Sequence, residues 1–419
     1  MDRAAAWRVL LGWLGEGDAA RRAPVAAAGA EHAADAELAA VAELAIALRL
    51  GPMLYCRWLE AGVALPAAVN SRLRAVRAAA SSVALAVTRT LEEIIQAFDA
   101  AGIRAIVLKG LALSETVYPA EAPRPSDDLD LLVQPEDVAR ATACLERLGY
   151  RAQPAHNPAD DRRFGGEVTF TRADGRGRPV ELHWHLLNYA WSRRAMRVPV
   201  ETWWRRAEPL VIGRVRAWRL APEDTIIYLA LHSAIHHTYD EPLLLLDLDR
   251  LIRHGPALDW DVIVRRACAY RVRRILYFTL EFTRRLFDSP VPEHVLAALR
   301  PPGPVRQAVE RLADPLQDPL GRRSLGSQNK FFLHFALLDR WQDRLRGIGR
   351  VFFPGREWIA ARYGVSRPLE IALYGAWHPL RAGGLGLLAL GQLAGRSRVR
   401  GRPRAAGVSA GRRPAGVPR

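Results

Sequence analysis

The 419-residue sequence predicts an α+β protein in which a core with a mixed sheet is flanked by an N-terminal and a C-terminal helical region. Apolar residues follow a helical period through residues 1–100 and again after about residue 200. Between these regions, short β-branched runs such as IRAIVL at 103–108 alternate with helical segments. Half of the residues are hydrophobic, which suffices for a sizeable core.

The order of these patterns divides the chain into four parts. We expect a helical N-terminal region at 1–100, an α/β core at 101–200, a helical domain at 201–394 and a disordered basic tail at 395–419. Within the core the predicted order is β-α-β-α-β-β, and the segments are IRAIVL, LALSETVY, DLDLLV, PEDVARATACLERLGY, EVTFTR and PVELHWHL.

The chain is basic, with a formal net charge of +16, and eight arginines without any acid in residues 395–419 supply half of it. The remaining charge suits an acidic ligand such as a nucleotide, whereas nucleic-acid binding is less favoured. The late apolar stretch LGLLALGQLAG with the basic tail leaves a weak membrane-surface contact open, without a transmembrane segment. The three cysteines are widely spaced, and the apolar run near residue 10 is short and interrupted. Both features favour a location in the cytoplasm.

An Asp-x-Asp pair marks the start of the second core strand, in RPSDDLDLLV. Alternation along a strand turns Asp128 and Asp130 to the same side and sends Leu129 and Leu131 into the core. Adjacent carboxylates repel unless a cation neutralises them, and a divalent metal with nucleotide phosphates would do so. The simpler hypothesis is that these acids only protect a sheet edge.

Further polar residues point to the same chemistry. Glu181 and His183 share one face of the strand VELHWHL, so Glu181 is a candidate third metal ligand. Lys109 follows the first strand, and it is one of only two lysines in a chain with 58 arginines. The compact ammonium of a lysine suits a point contact to phosphate. Gly110 next to it allows a ligand to approach the backbone closely.

These segments together resemble the nucleotidyltransferase superfamily of the DNA polymerase β type. More closely, IVLKGLALSETVY, RPSDDLDLLV and VELHWHL resemble the uncharacterised nucleotidyltransferase family of bacteria. The resemblance implies a polymerase β-like core that uses Mg²⁺ or Mn²⁺. It implies two groups of site residues, which are Asp128, Asp130 and Glu181 for metal and catalysis, and Lys109, Gly110, Arg124 and His183 for the nucleotide.

The resemblance further implies transfer of a nucleoside monophosphate from a nucleoside triphosphate to an unknown hydroxyl acceptor on a small molecule, peptide or saccharide. Two alternatives stay open: a toxin-like enzyme that acts on RNA, and a binding protein of the same fold without chemistry. His232, His236 and Asp247 are polar candidates for the acceptor pocket. For the two histidines, ordinary core hydrogen bonding is favoured over a zinc site.

Overall fold

The fold is described from a computed structural model. It describes residues 1–16, 31–119, 122–153, 165–175, 177–187, 190–313 and 327–400. Among these residues, no helix has the length and apolar character needed to cross a membrane.

Four helices form the N-terminal region, as the apolar period predicts: α1 (Arg3–Leu14), α2 (Glu31–Ala47), α3 (Gly51–Glu60) and α4 (Ala67–Ala100). Asp2 caps α1, because its side chain accepts a hydrogen bond from the backbone amide of Ala5. The long helix α4 buries one side of its second half, including Leu91, Ile94 and Phe98, against the sheet.

A mixed sheet of seven strands lies at the centre: β1 (Ile106–Val107), β2 (Leu129–Leu132), β3 (Tyr150–Ala152), β4 (Glu167–Arg172), β5 (Val180–His183), β6 (Glu208–Ile212) and β7 (Val215–Arg219). Their order across the sheet is β3-β4-β5-β2-β1-β7-β6. The pairs β1–β7 and β2–β5 are parallel, and the other neighbours are antiparallel. The prediction of a mixed sheet is thus confirmed.

The sequence predicted four of these strands and missed β3, β6 and β7. β3 is only three residues long, which is too short for an alternating pattern to register. β6 and β7 form a hairpin within the region that we expected to be helical, and β7 extends the sheet beside β1. Their pattern is weak because Pro209, Arg216 and Arg219 interrupt the apolar residues.

The remaining helices are α5 (Leu111–Val117), α6 (Val138–Arg147), α7 (Ala190–Ala195), α8 (Val200–Arg206), α9 (Pro222–Leu231), α10 (Pro242–His254), α11 (Trp260–Tyr270), α12 (Arg273–Phe287), α13 (Glu293–Leu299), α14 (Gly303–Ala313), α15 (Ser327–Leu337), α16 (Trp341–Phe352), α17 (Arg356–Tyr363) and α18 (Pro368–Arg400). A π-helical turn, His232–His236, continues α9. Residues 395–400 of the expected tail continue α18, and 401–419 lie outside the described residues.

Two apolar clusters cover the two faces of the sheet. One joins α4 and α6 to Leu129, Leu131 and Leu182. The other joins the N-terminal helices to α9, α10 and α12 and includes Ile106 and Leu132. Because both faces are covered, the side chains of β2 that face the second cluster are enclosed between the sheet and the helices.

Candidate active site

Two carboxylates lie side by side on the sheet face that turns toward α9 and α10. In the parallel pair β2–β5, Asp130 is the register partner of Glu181. Their neighbours Leu129, Leu131 and Leu182 are packed on the opposite face, as the alternation predicted. The strand pairing therefore fixes the two acids next to each other in a buried setting, where their charges need a counter-charge.

Lys109 supplies positive charge from the turn after β1. Its Nζ donates to Oδ2 of Asp130 at 2.5 Å and lies 3.8 Å from Oδ2 of Asp128. Burial opposes ionisation of both partners, yet the Lys109 charge and hydrogen bonds from His183 hold the pKa of Asp130 well below its usual range. The pKa of Lys109 is raised because the attraction of the nearby carboxylates outweighs its own burial. Lys109 and Asp130 therefore form a buried ion pair.

Gly110 has a geometric reason to follow Lys109. Its backbone has φ +52°, in the left-handed region that side chains with a Cβ rarely adopt. A Cβ at this position would also lie 2.6 Å from Oγ of Ser126. The turn that presents Lys109 therefore depends on the missing side chain.

His183 lies among three carboxylates. Its Nδ1 is 2.9 Å from Oε2 of Glu167, and its Nε2 is 3.3 Å from Oδ1 of Asp130 and 3.6 Å from Oε2 of Glu181. Burial would lower the pKa of His183, but the charge of Glu167 and the hydrogen bonds to the three acids raise it well above its usual value. A protonated His183 is therefore a second internal counter-charge for these acids.

The pKa of Glu181 moves in the opposite direction from that of Asp130. Burial raises it first, and the negative charge of Asp130 adds to the increase, although the hydrogen bond from His183 opposes them. The carboxylate of Glu181 is therefore the incompletely neutralised member of the pair, and an added cation would favour its charged form.

Within the described residues, one group of three donors has the spacing of a metal site, with ligand atoms within 4.8 Å of one another: Asp130, Glu181 and His183. Two carboxylates and an imidazole fit a divalent cation, provided that His183 loses its proton. The predicted ligand Asp128 is not in this group. It precedes β2 and lies at the cavity beside Lys109, with 36% of its side chain exposed.

A cavity with a volume of about 280 Å³ lies at the sheet face that carries Asp130 and Glu181, which forms one of its walls. Its opposite wall comes from the π-helical turn and the start of α10. The charged and histidine side chains that line it are Arg49, Lys109, Arg124, Asp128, Glu167, Glu181, His232, His236, His237 and Glu241. The three cations can contact a polyanionic ligand, whereas the four carboxylates would repel it unless a bound cation offsets their charge.

The helical wall carries neutral imidazoles. The rings of His232 and His236 stack with centroids 4.9 Å apart, and Nε2 of His232 is 3.2 Å from Nε2 of His237. Burial lowers the pKa of His236 to about 4 and that of His232 well below its usual value. π-Helical turns are rare and often occur at functional sites, so this wall is a candidate ligand surface.

The comparison with known families agrees with the geometry. The model of a family described as uncharacterised nucleotidyltransferase matches residues 34–288, which is more than half of the chain. The chain belongs to this nucleotidyltransferase family. The match contains every residue that lines the cavity. Searches of curated proteins and of solved structures found no match.

Arg124 lines the cavity but is held by α10. Its Nε and one terminal nitrogen donate to the two oxygens of Asp247 at 2.7 and 2.6 Å, and the other donates to the carbonyl of Pro125 at 3.1 Å. Tyr118 donates to Asp247 at 2.7 Å as well. Asp247, a candidate for the acceptor pocket, is thus fully buried as the partner of Arg124 and does not line the cavity.

Four charged or histidine residues that line the cavity were not predicted from the sequence: Arg49, Glu167, His237 and Glu241. Glu167 is the register partner of His183 on β4, a relation that appears only when the strands are paired. Arg49, between α2 and α3, pairs with Asp127 at 2.8 Å and lies 3.6 Å from Glu241 on α10. Its φ of +62° is in the left-handed region, as is common at a helix end, and the backbone N–H of Leu50 donates to the carbonyl of Ala45 at 2.7 Å.

Proposed function

We propose that this nucleotidyltransferase moves a nucleoside monophosphate from a nucleoside triphosphate to a hydroxyl acceptor, in a reaction that depends on Mg²⁺ or Mn²⁺. The observation that carries the proposal is the register pairing of Asp130 with Glu181, beside Lys109, at a cavity lined by three cations. We also infer that β1, β2 and β5 belong to a core of the polymerase β type.

The cation would be held by Asp130 and Glu181, with His183 or Asp128 as the third ligand. These donors fit because the buried carboxylate of Asp130 and the half-buried one of Glu181 lie together, and desolvation with the charge of Asp130 raises the pKa of Glu181. When bound, a divalent cation supplies the charge stabilisation that phosphoryl displacement requires. Oxygen ligands alone favour Mg²⁺, while a set that includes the imidazole of His183 favours a cation such as Mn²⁺.

The triphosphate would lie against Lys109 and Arg49. Lys109 is within reach of both acids on the sheet wall, so its ammonium can contact phosphate close to the reacting centre. Arg49 is 41% exposed, and its closer partner Asp127 is a surface carboxylate, 65% exposed, that a phosphate can replace at modest cost. Arg124 has two further N–H groups, but its firm hold on Asp247 favours a positioning role.

In the reaction, the acceptor oxygen attacks the α-phosphorus while the bond from that phosphorus to the β-phosphate bridging oxygen breaks, and pyrophosphate leaves. The proton of the hydroxyl passes to the carboxylate of Glu181. Beside a bound cation Glu181 stays in its charged form, in which the carboxylate can accept that proton.

The acceptor would enter from the helical wall. His232 and His236 are uncharged there, and Leu243 and Leu244 add apolar surface. Neutral imidazoles and leucines suit a small molecule, a peptide or a saccharide better than an RNA backbone, which would need phosphate contacts.

The test is transfer of label from each α-³²P-labelled nucleoside triphosphate to cell extract, to purified RNA and to buffer alone. The account expects metal-dependent labelling of a compound of low molecular mass or a peptide, and loss of that labelling in Glu181→Gln. Labelled RNA would support the RNA-modifying alternative. Nucleotide binding without any transfer to the extract would support the non-catalytic alternative.

A further inference from the structure

An exposed apolar surface lies outside the part of the chain that the family matches. Among the described residues, 13 large apolar side chains are exposed, and nine of them lie between 341 and 380. Seven of these nine are between 49% and 75% exposed: Trp341, Leu345, Phe353, Leu369, Leu373, Trp377 and Leu380. A concentration of this kind in one region marks an interaction surface.

The apolar side chains of α18 form one stripe. Leu369, Leu373, Trp377 and Leu380 are spaced by four, four and three residues, which keeps them on one side of a helix. α16 and α17 pack against α18, so the three helices form one unit. This stripe has the length of three turns and is open to solvent in the described residues.

Arginines accompany the stripe. Residues 341–384 contain seven arginines and three acidic residues, which gives this segment a net charge of +4. Beside the stripe, the guanidinium of Arg381 lies 5.7 Å from the ring of Trp377. The side chains of Arg346 and Arg367 are 71% and 82% exposed, although each lies near an acid of its own segment, Asp343 at 3.1 Å and Glu370 at 3.9 Å. The region is therefore both apolar and basic.

We propose that α16–α18 dock onto an anionic lipid surface, with the leucine and tryptophan stripe in the headgroup region and the arginines on acidic headgroups. Helices that lie on membranes combine an apolar side that carries leucine and tryptophan with a basic polar side. Each arginine near an anionic surface adds attraction that salt screens.

Other occupants fit this region less well. A second copy of the chain, or residues 401–419 with their five arginines, would bring more positive charge to a basic surface. A nucleic acid would satisfy the arginines but would leave the leucines of the stripe in water. Anionic lipid meets both features at once.

The test is flotation of the full-length protein with two kinds of vesicle, phosphatidylcholine alone and an equal mixture with phosphatidylglycerol. The wild type should bind the mixed vesicles more tightly than the neutral ones, and binding should weaken as salt is added. The double variant Leu373→Glu, Leu380→Glu should lose roughly tenfold or more of this affinity. The double variant Arg346→Gln, Arg367→Gln should lose roughly tenfold.

The matched control is Leu59→Glu, Leu85→Glu, at two exposed leucines of α3 and α4, which should bind like the wild type. Wild-type protein that ignores mixed vesicles, or binds both kinds equally, would overturn the proposal. Wild-type affinity of the Leu373→Glu, Leu380→Glu variant for the mixed vesicles would also overturn it. The same holds if this variant keeps wild-type affinity for an RNA that competes with the vesicles. If that variant converts a dimer into a monomer in light scattering, the surface is an interface between copies.

Discussion

Removal of the carboxylate of Asp247 should destabilise the fold, because Arg124 then stays buried without a counter-charge. The pair has two hydrogen bonds of 2.7 and 2.6 Å, Tyr118 adds a third, and both charged side chains are at most 5% exposed. Breaking a buried pair of this kind by removing one partner costs about 3–5 kcal/mol of unfolding free energy. At about 2 °C per kcal/mol for a large chain, the melting temperature should fall by roughly 6–10 °C.

Thermal unfolding of Asp247→Leu, Arg124→Met and the double variant measures this. The double variant should be more stable than Asp247→Leu, because two apolar side chains leave no buried charge unpaired. Tyr118→Phe, which removes one hydrogen bond, should lose only about 1 kcal/mol. An unchanged melting temperature in both single variants, together with weaker nucleotide binding in Arg124→Met, would refute the positioning role and favour a phosphate contact.

Three further predictions concern the turn, the rim and a distant histidine. Gly110→Ala should lower the melting temperature, because a Cβ is strained at φ +52° and clashes with Ser126. Adding Ser126→Ala should restore part of the loss. Equal melting curves for Gly110→Ala and the wild type would contradict this. Arg49→Met should weaken nucleotide binding roughly 10- to 100-fold in calorimetry, whereas Arg178→Met, which touches the same Asp127 but does not line the cavity, should not. Burial lowers the pKa of His334 to about 4, so the unfolded chain binds a proton at this histidine before the folded one does as the pH falls from about 6.5 to 4. Up to about 3 kcal/mol of stability should be lost over this range. In thermal melts His334→Gln should remove that part of the pH dependence, and an unchanged dependence would count against the prediction.

The site residues on the sheet could be predicted from the sequence because the patterns that identify them are local. Period-two alternation and the Asp-x-Asp spacing identified β2, β5 and the shared side of Asp130 and Glu181, and the short strand-and-turn pattern located Lys109. Each of these features lies within a few residues of the strand that presents it.

The remaining features depend on contacts between residues that are far apart along the chain. Asp247 is 123 residues from Arg124, and neither segment contains a pattern that predicts their contact. Arg49 reaches the cavity from a turn between N-terminal helices, and its positive φ has no sequence signal because the residue is not glycine. Glu167 becomes a site residue only through the register of β4 on β5. The fold, rather than a motif, brings these residues to the site.

The central claim is that Glu181 and Asp130 together hold a metal–nucleotide complex, and calorimetric titration of Mg²⁺ or Mn²⁺ with each nucleoside triphosphate tests it directly. Glu181→Gln should reduce metal-dependent binding by roughly 100-fold, the effect expected when one preorganised charged group is lost. Without metal, the same variant should melt at or above the wild-type temperature, because it removes both the cost of partly burying a carboxylate and its repulsion with Asp130, which raise the pKa of Glu181. Wild-type protein that binds no nucleotide, or a Glu181→Gln variant that binds the metal–nucleotide complex as tightly as the wild type, would contradict the account.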